Sequence, residues 1–451
     1  MNIAGRTFGV LGAARSGRAV AGLLRRRGAT VLVSDRAARD QMAEAARELE
    51  AAGIEAEFGG HSQRLLRSDA LVISPGVPSD APIVQEALAR GVEVISELEV
   101  ASWFHRGPML AITGTNGKTT TTTLAGRIFT DARLPSAVAG NIGVAFSQVV
   151  ESIPPGGTAI LEVSSFQLDH VREFRPAVSV LLNITPDHLD RYGNSFERYA
   201  AAKARVFAQQ RSGDTLVYNR DDEVTARLVA ERADPAIRRM SFGLEEHPGE
   251  GAWVKDGMVR LAIAGRTSDL LPAAEISIPG RHNLYNAMSA VLAGRVSGVG
   301  EASMRATLRN FRGVEHRLEV VRERNGVTFV NDSKATNVDS VWYALQSYSA
   351  PIVLMLGGRD KGNDYRRLEE LVRRTVREIV AIGESADKVA EAFTGVVPVR
   401  IARTMAEAVQ LGAGVAQPGD IVLLSPACAS FDWFDNYEHR GRVFAQLVRE
   451  L

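Results

Sequence analysis

The sequence predicts an α/β protein of three successive sheet domains, and three observations lead there. Short apolar runs alternate with segments of helical period. Two of those runs pass through glycine-rich turns straight into helices. At 451 residues the chain is too long for one core and suits two to four. The divisions fall at 1–96, a Rossmann-like segment, at 97–313, a phosphate-loop segment with a mostly parallel sheet, and at 314–451, a second Rossmann-like segment. The last break lies near Phe311-Arg312-Gly313.

In the first segment Thr7 to Leu11 is a short apolar strand and Ser16 to Arg27 has helical periodicity. Thr30 to Ser34 is a second strand ending at Asp35, and Ala70 to Ser74 a third, running into Pro75-Gly76-Val77-Pro78. The first turn, Gly12-Ala13-Ala14-Arg15-Ser16-Gly17, is close to a dinucleotide fingerprint, with Asp35 at the spacing of a ribose-binding acid. Ala14 replaces the middle glycine. The turn therefore suits a nucleotide-like or phosphate-bearing ligand and leaves NAD open.

The second segment opens on an apolar run, Met109 to Ile112, then Thr113-Gly114-Thr115-Asn116-Gly117-Lys118-Thr119-Thr120 and a helix to Phe129. Gly114 and Gly117 let backbone N–H groups turn toward an anion, and the helix N-terminus adds partial positive charge. Lys118 suits β/γ-phosphates and the Thr119 hydroxyl suits Mg²⁺. Ile112 stands where the general phosphate loop has its first glycine, so this is a shortened form. Further strands are expected over Thr158 to Val163 and Val178 to Asn183, and helices over Ser195 to Gln210 and Asn283 to Val296. Glu162, ending a strand beside the loop, is placed for Mg²⁺. The next strand delivers Asp187, His188 and Asp190 to the same edge. Histidine is an uncommon Mg²⁺ ligand, so from the residues alone His188 is as readily structural as functional. Lys203, on a helix among alanines, reads as a solvated lysine.

In the third segment Gly313-Val314-Glu315-His316-Arg317 precedes a strand, Val327 to Val330, and Asn331-Asp332-Ser333-Lys334-Ala335-Thr336-Asn337. Asp332 suits a ribose or water and Lys334 an anion. The strands Ile352 to Leu356, Ile379 to Ile382 and Ile421 to Leu424 end in Gly or Ser-Pro turns. That favours ligand binding at the carboxyl edge of a parallel sheet. The turn Ser425-Pro426-Ala427-Cys428-Ala429-Ser430-Phe431-Asp432 offers hydroxyls and N–H groups to a carboxylate. Cys428 has no histidine placed beside it by the sequence and reads as a small buried residue.

Composition narrows the classes. Formal net charge is zero, which gives no basic footprint for nucleic acid and no polybasic membrane tail. No apolar run reaches spanning length, and no secretory pattern opens the chain. The single cysteine fits a reducing compartment, so a cytoplasmic location is expected. Of 53 basic residues only six are lysine: Lys118, Lys203, Lys255, Lys334, Lys361 and Lys388. Where arginine serves for generic charge, the remaining lysines are candidates for chemistry arginine cannot do.

Together these motifs resemble the Mur ligase family over the whole chain, and within it the branch that adds D-glutamate. T-G-T-N-G-K-T alone marks the broader family. E-V-S-S-F-Q-L at Glu162, D-H-L-D-R-Y at Asp187, N-D-S-K-A-T-N at Asn331 and S-P-A-C-A-S-F-D at Ser425 are more specific.

The resemblance implies an ATP-dependent amide ligase of cell-wall precursor synthesis, acting on UDP-MurNAc-L-Ala and D-glutamate through an acyl phosphate. It implies ATP contacts from Gly114, Thr115, Asn116, Gly117, Lys118, Thr119, Thr120, Asn286, Arg317 and Asp332. It implies one Mg²⁺ on Thr119 and Glu162, and a second served by His188 and by Lys203, the latter carbamylated. UDP-substrate contacts are implied for Ser16, Asp35, Arg36, Ser74, Gly76, Asn141 and His188. Lys334 would serve catalysis, and Thr336, Lys361, Ser430 and Tyr437 D-glutamate. Tyr437 stands where better-known members have phenylalanine. A monomer acting on small molecules is expected. The rivals are a sister ligase adding another amino acid, a folylpolyglutamate synthase-like ligase and a non-catalytic nucleotide-binding regulator. The chain lacks the D-N-P-R motif of the diamino-acid-adding sister.

Overall fold

Twenty strands form three sheets in a computed structural model that describes residues 2–360 and 362–451. By internal contacts the chain divides into two units, Met1–Glu275 with Tyr285–Arg309, and Ile276–Leu284 with Asn310–Leu451.

The first unit holds two sheets. In the first, β1 (Thr7–Leu11), β2 (Thr30–Asp35), β3 (Glu55–Phe58), β4 (Ala70–Ile73) and β5 (Glu93–Ser96) run parallel in the order β3-β2-β1-β4-β5. Val10, Val33 and Val72 face one apolar layer and Leu11, Leu71 and Ile73 the other, which is why the centres of β1, β2 and β4 are apolar on both faces.

The second sheet contains β6 (Met109–Thr113), β7 (Ser136–Gly140), β8 (Thr158–Glu162), β9 (Val178–Leu181), β10 (Thr215–Asn219), β11 (Arg238–Phe242), β12 (Gly251–Lys255), β13 (Met258–Ile263) and β14 (Arg266–Pro272). The order is β14-β13-β12-β11-β10-β9-β6-β8-β7, parallel from β7 to β12 and antiparallel over the last two pairs. β6 lies between β8 and β9, with Ile112 opposite both Glu162 and Val180. β8 and β7 lie on one side of β6 and β9 to β11 on the other, so the strand order reverses at β6, and such a switch point opens a crevice at the carboxyl ends of the strands. The helix expected over Ser195 to Gln210 runs from Phe196 to Ala204 and ends in a 3₁₀ turn, Arg205–Phe207.

In the second unit, β15 (Glu319–Arg324) pairs antiparallel with β16 (Val327–Asn331). β17 (Ile352–Gly357), β18 (Val376–Ile382), β19 (Val399–Ile401) and β20 (Ile421–Leu424) complete the order β15-β16-β20-β17-β18-β19. Asn331 and Met355 both lie opposite Leu424. Asp332, Ser425 and the Gly357-Gly358 turn therefore emerge at one edge.

Candidate functional site

The register of the second sheet assembles the site. With Ile112, Gly140 and Glu162 aligned, the turns after β6, β7 and β8 sit side by side. Asn141 donates its backbone N–H to the Glu162 carbonyl at 2.8 Å and its side-chain N–H to the Glu162 carboxylate at 2.9 Å. Glu162 is 2% exposed.

The phosphate loop is pinned from the other side. Asn183, just past β9, accepts the Thr115 N–H on its carbonyl at 2.8 Å and the Asn116 N–H on its side-chain oxygen at 2.8 Å. Its amide returns a bond to the Asn116 carbonyl at 3.0 Å. The Thr115 hydroxyl meets the Thr185 carbonyl at 3.0 Å and the Tyr199 hydroxyl at 3.1 Å. Gly117 caps the helix Lys118–Asp131 with φ +84°, and a Cβ there would lie 2.3 Å from Asn286 Oδ1. Only glycine satisfies both the backbone and the space. Thr119 and Thr120 are buried in the first helical turn, and Thr121 donates to Asn286 Oδ1 at 3.3 Å.

Two amines converge here. Lys118 Nζ donates to the Gly114 and Thr115 carbonyls at 2.8 and 2.7 Å, and Lys203 Nζ to the same Gly114 oxygen at 2.7 Å. Lys203 is 1% exposed and lies 4.6 Å from the Tyr199 ring centroid. The solvated lysine read from the residues alone is thus overturned, because the alanines around it turn their helix face inward. Burial, followed by the charge of Lys118, holds the Lys203 ammonium well below the usual lysine range. The carboxylates of Asp187, Asp169 and Glu162 oppose that shift. His188 has φ +51°, takes its N–H to Asp187 Oδ1 at 3.0 Å and packs its ring 5.3 Å from Phe166. Arg191, on the same loop, donates to the Val77 carbonyl at 3.0 Å and lies over Phe166. It joins this edge to the turn after β4. Arg15 likewise donates to the Gly143 carbonyl.

Ser16, Asp35, Arg36, Ser74, Gly76 and Asn141 all line one open cavity of about 910 Å³. His188 is not among its lining residues. Asp35 accepts the N–H groups of Ala13 at 2.7 Å and Ala37 at 2.8 Å, so its carboxylate also braces the glycine turn.

In the second unit Asp332 is buried and accepts the Ser425 hydroxyl at 2.8 Å and the Leu318 N–H at 3.3 Å. Lys334 Nζ lies 5.1 Å from the Tyr437 ring centroid, and Ser430 is buried. Thr336 is half-buried just before the helix Val338–Gln346. Lys361 lies outside the described residues. Cys428 is buried with its thiol against the Tyr365 hydroxyl at 3.0 Å, and burial pushes it up. The structure therefore supports its reading as an inert packed residue.

Burial pushes the Asp332 carboxyl up to about 7, against the opposing Ser425 hydroxyl and Arg317. Between the ordinary Asp value and 7 the folded state keeps a proton that the unfolded chain has lost. Stability of the second unit should therefore fall as pH rises across that window, by up to about 1.4 kcal/mol per pH unit, and level off above it. Denaturant midpoints against pH should show this decline in the wild type and a flatter profile in Asp332→Asn. Parallel profiles would contradict it.

Three family models cover most of the chain. A MurD-like Mur ligase N-terminal domain matches residues 6–96, a Mur ligase middle domain 112–294 and a Mur ligase glutamate ligase domain 316–428. The UDP-N-acetylmuramoylalanine–D-glutamate ligase of Salinibacter ruber is 51% identical, over 98% of this chain and 97% of that relative. The chain belongs to the Mur ligase family. The ligase of the same name from Chlorobaculum parvum is 47% identical over 99% of this Mur ligase and 98% of its own length. Among solved structures, a pseudomurein peptide ligase type C from Methanothermus fervidus shares the fold, with a TM-score of 0.63 at 18% identity, covering 99% of each chain. The UDP-N-acetylmuramate-alanine ligase of Thermotoga maritima does so with 0.60, also at 18% and 99% of each.

Sequence reasoning passed over several residues on which this Mur ligase site depends. Asn183 had a signal, its place at the end of a strand beside the phosphate loop. Tyr199 carries none that spacing could reveal. Among the described residues no cluster of three or more His, Cys, Asp and Glu is arranged to hold a metal, and no helix is long and apolar enough to cross a membrane.

Proposed function

We propose that this chain joins D-glutamate to the alanyl carboxylate of UDP-N-acetylmuramoyl-L-alanine, converting ATP to ADP and phosphate. The carboxylate oxygen attacks the γ-phosphorus and ADP leaves. The amine of D-glutamate then attacks the acyl phosphate, loses a proton and expels phosphate from a tetrahedral intermediate. The observation that carries this reading is the convergence of the phosphate loop, Glu162 and buried Lys203 on one sheet edge, in a chain about half identical to a D-glutamate ligase.

Such chemistry rests on positioning and charge neutralisation. Gly114 to Thr120 and Asn286 cradle ATP, with Lys118 on its β/γ-phosphates. Mg²⁺, when bound, neutralises charge on the transferring phosphoryl group. The donor set fits it only in one form. The Thr119 hydroxyl and Glu162 carboxylate are hard oxygen donors, as Mg²⁺ requires. A lysine ammonium would repel a cation. A neutral amine can add to CO₂, releasing a proton and leaving a carbamate, which is a carboxylate-like ligand. The lowered Lys203 value favours that neutral amine. In the second unit Arg317 and Asp332 serve ATP, Lys334 the transferred phosphate, and Thr336, Lys361, Ser430 and Tyr437 D-glutamate.

Ser16, Asp35, Arg36, Ser74, Gly76 and Asn141 hold the uridine diphosphate substrate in the cavity of the first unit, with His188 also serving it. The domain limits at 96 and 313 go with these roles. The same reading has the chain working as a cytoplasmic monomer on small molecules.

Phosphate release from ATP and Mg²⁺ with UDP-MurNAc-L-Ala, assayed against a panel of amino acids, tests this. Release is expected with D-glutamate alone. Release with another amino acid would move the chain to a sister step, and none with any would end the ligase reading.

A further inference from the structure

On the reading proposed above, the two reactants of the first chemical step are held by different sheets. Turns of the first sheet line the substrate cavity, and the phosphate loop of the second sheet takes ATP. The alanyl carboxylate attacks in line only if these two sets of strand ends keep a fixed spacing, since a misplacement of about 1 Å can cost roughly 100-fold in rate. The two are separate sheets, so their hydrogen-bond ladders do not set that spacing. It has to come from side chains that cross between the loops at the strand ends.

The turn after β4 needs such a tie most. Pro75, Gly76, Val77 and Pro78 all line the cavity. The Val77 N–H closes the turn on the Ser74 carbonyl at 2.9 Å, and Pro75 and Pro78 have no N–H with which to brace it further. Ser79 Oγ meets His170 Nε2 at 2.8 Å, which fixes the far end of the turn to the segment after β8. The near end is held by Arg191, whose Nη2 donates to the Val77 carbonyl at 3.0 Å and reaches the Pro75 carbonyl at 3.5 Å. The same guanidinium lies 4.4 Å from the centroid of the Phe166 ring. That ring meets the His188 ring edge-on at 5.3 Å and stacks on Tyr192 at 6.0 Å. Phe166 stands between Glu162 and Gln167 in one short segment, and Gln167 lines the cavity. Arg191 therefore joins the substrate turn to two loops that carry groups of the reacting edge.

We propose that Arg191 is a positioning residue for the first chemical step, clamping the substrate turn to the His188 loop so that the alanyl carboxylate faces the γ-phosphate. It acts through the Pro75 and Val77 carbonyls on one side and through Phe166 on the other. A guanidinium suits both tasks at once, because its N–H groups lie in the plane of the fork and its flat face is left for the ring. The clamp rests on the substrate reading of the cavity and the phosphate loop, and adds to it what holds the two reactants in register.

Positional isotope exchange in ATP, with UDP-MurNAc-L-Ala present and D-glutamate left out, reads that step alone. The γ-phosphoryl group passes to the carboxylate and back while the β-phosphate of bound ADP turns. Arg191→Met keeps an unbranched side chain over Phe166 and removes the donors. It should slow the exchange by about 100-fold, with calorimetric dissociation constants for ATP and UDP-MurNAc-L-Ala within about threefold of wild type. Arg191→Lys should recover at least about tenfold of the loss, since an ammonium can still reach one carbonyl. Arg26→Ala serves as the control. It removes the ion pair with Glu151 at 2.8 Å, a tie between the same two parts of the chain at the opposite end of the helix Arg15–Arg26, and should leave the exchange unchanged. Wild-type exchange in Arg191→Met, a loss carried entirely by weaker binding, or equal slowing in Arg26→Ala would each overturn the proposal. Amide hydrogen exchange of the wild type gives a check that needs no variant to fold. UDP, which lacks the muramoyl-alanyl arm, should protect segments 75–79 and 187–192 together, and protection confined to 75–79 would overturn the clamp. Protection of neither segment would overturn the substrate reading of the cavity, and no isotope exchange in the wild type would overturn the ligase reading itself.

Discussion

Lys203→Ala is expected to abolish ligation while leaving ATP binding within about threefold of wild type. The loss should reach roughly 10³-fold or more in kcat, the scale of removing one preorganised electrostatic group from a transferring centre. The side chain makes one hydrogen bond, to the Gly114 carbonyl at 2.7 Å, and Lys118 also donates to that oxygen. The loop therefore keeps its contacts with Asn183 and Lys118 when Lys203 is removed. Lys203→Arg should fail as completely, because a guanidinium cannot form a carbamate at neutral pH. A second readout is independent of turnover. Protein equilibrated with ¹³C-bicarbonate should show a carbamate carbon signal that Lys203→Ala lacks. Full turnover by the alanine variant would remove Lys203 from the mechanism.

Arg440→Ala is expected to cost the second unit about 4 kcal/mol. Arg440 is 1% exposed, on the helix Tyr437–Glu450. Its guanidinium donates to the Ser333 hydroxyl at 3.0 Å and to the carbonyls of Ser333 at 2.8 Å, Cys428 at 3.1 Å and Ala429 at 3.3 Å. Burial lowers its value to about 10, so it stays charged at neutral pH. Truncation would leave the buried Ser333 and Cys428 carbonyls without this donor, at a cost of roughly 1–3 kcal/mol each, while the Ala429 carbonyl keeps the Arg359 N–H at 2.9 Å. For a unit of this size that corresponds to a fall in melting temperature of roughly 10 °C. Lysine should restore little, because an ammonium cannot span four acceptors with the geometry of a fork. Thermal unfolding followed by circular dichroism reads the effect, and a change below about 1 kcal/mol would show that the acceptors find other partners. The consequence reaches the site, because Arg440 ties Ser333 of one motif to Cys428 and Ala429 of the other.

Much of the sheet architecture was legible because parallel strands covered on both faces are unbroken apolar runs. Ala70–Ile73 and Ile421–Leu424 announce themselves in this way. The ribbon β12 to β14 was not read, because Arg260, Arg266 and Asp269 interrupt its apolar residues and one face is open to solvent. β15 escaped for the same reason, with Arg322, Glu323 and Arg324 in its second half. In the site, the phosphate loop was legible since its chemistry lies in consecutive residues. Lys203 read as solvated, because its four neighbouring alanines show no period that distinguishes an inward face from an outward one.

What the sequence determined by itself was the set of local devices: the strands, the glycine turns that only glycine can make, and the motifs that place Lys118, Glu162 and Asp332 at strand ends. What only the tertiary structure decided was which of those ends are neighbours and which polar groups complete one another. The clamp of Asn183 on Asn116, the shared oxygen of Lys118 and Lys203 and the four acceptors around Arg440 join residues from 11 to 107 positions apart. No local propensity encodes such pairs. They follow from sheet order and register, and burial then makes each hydrogen bond obligatory.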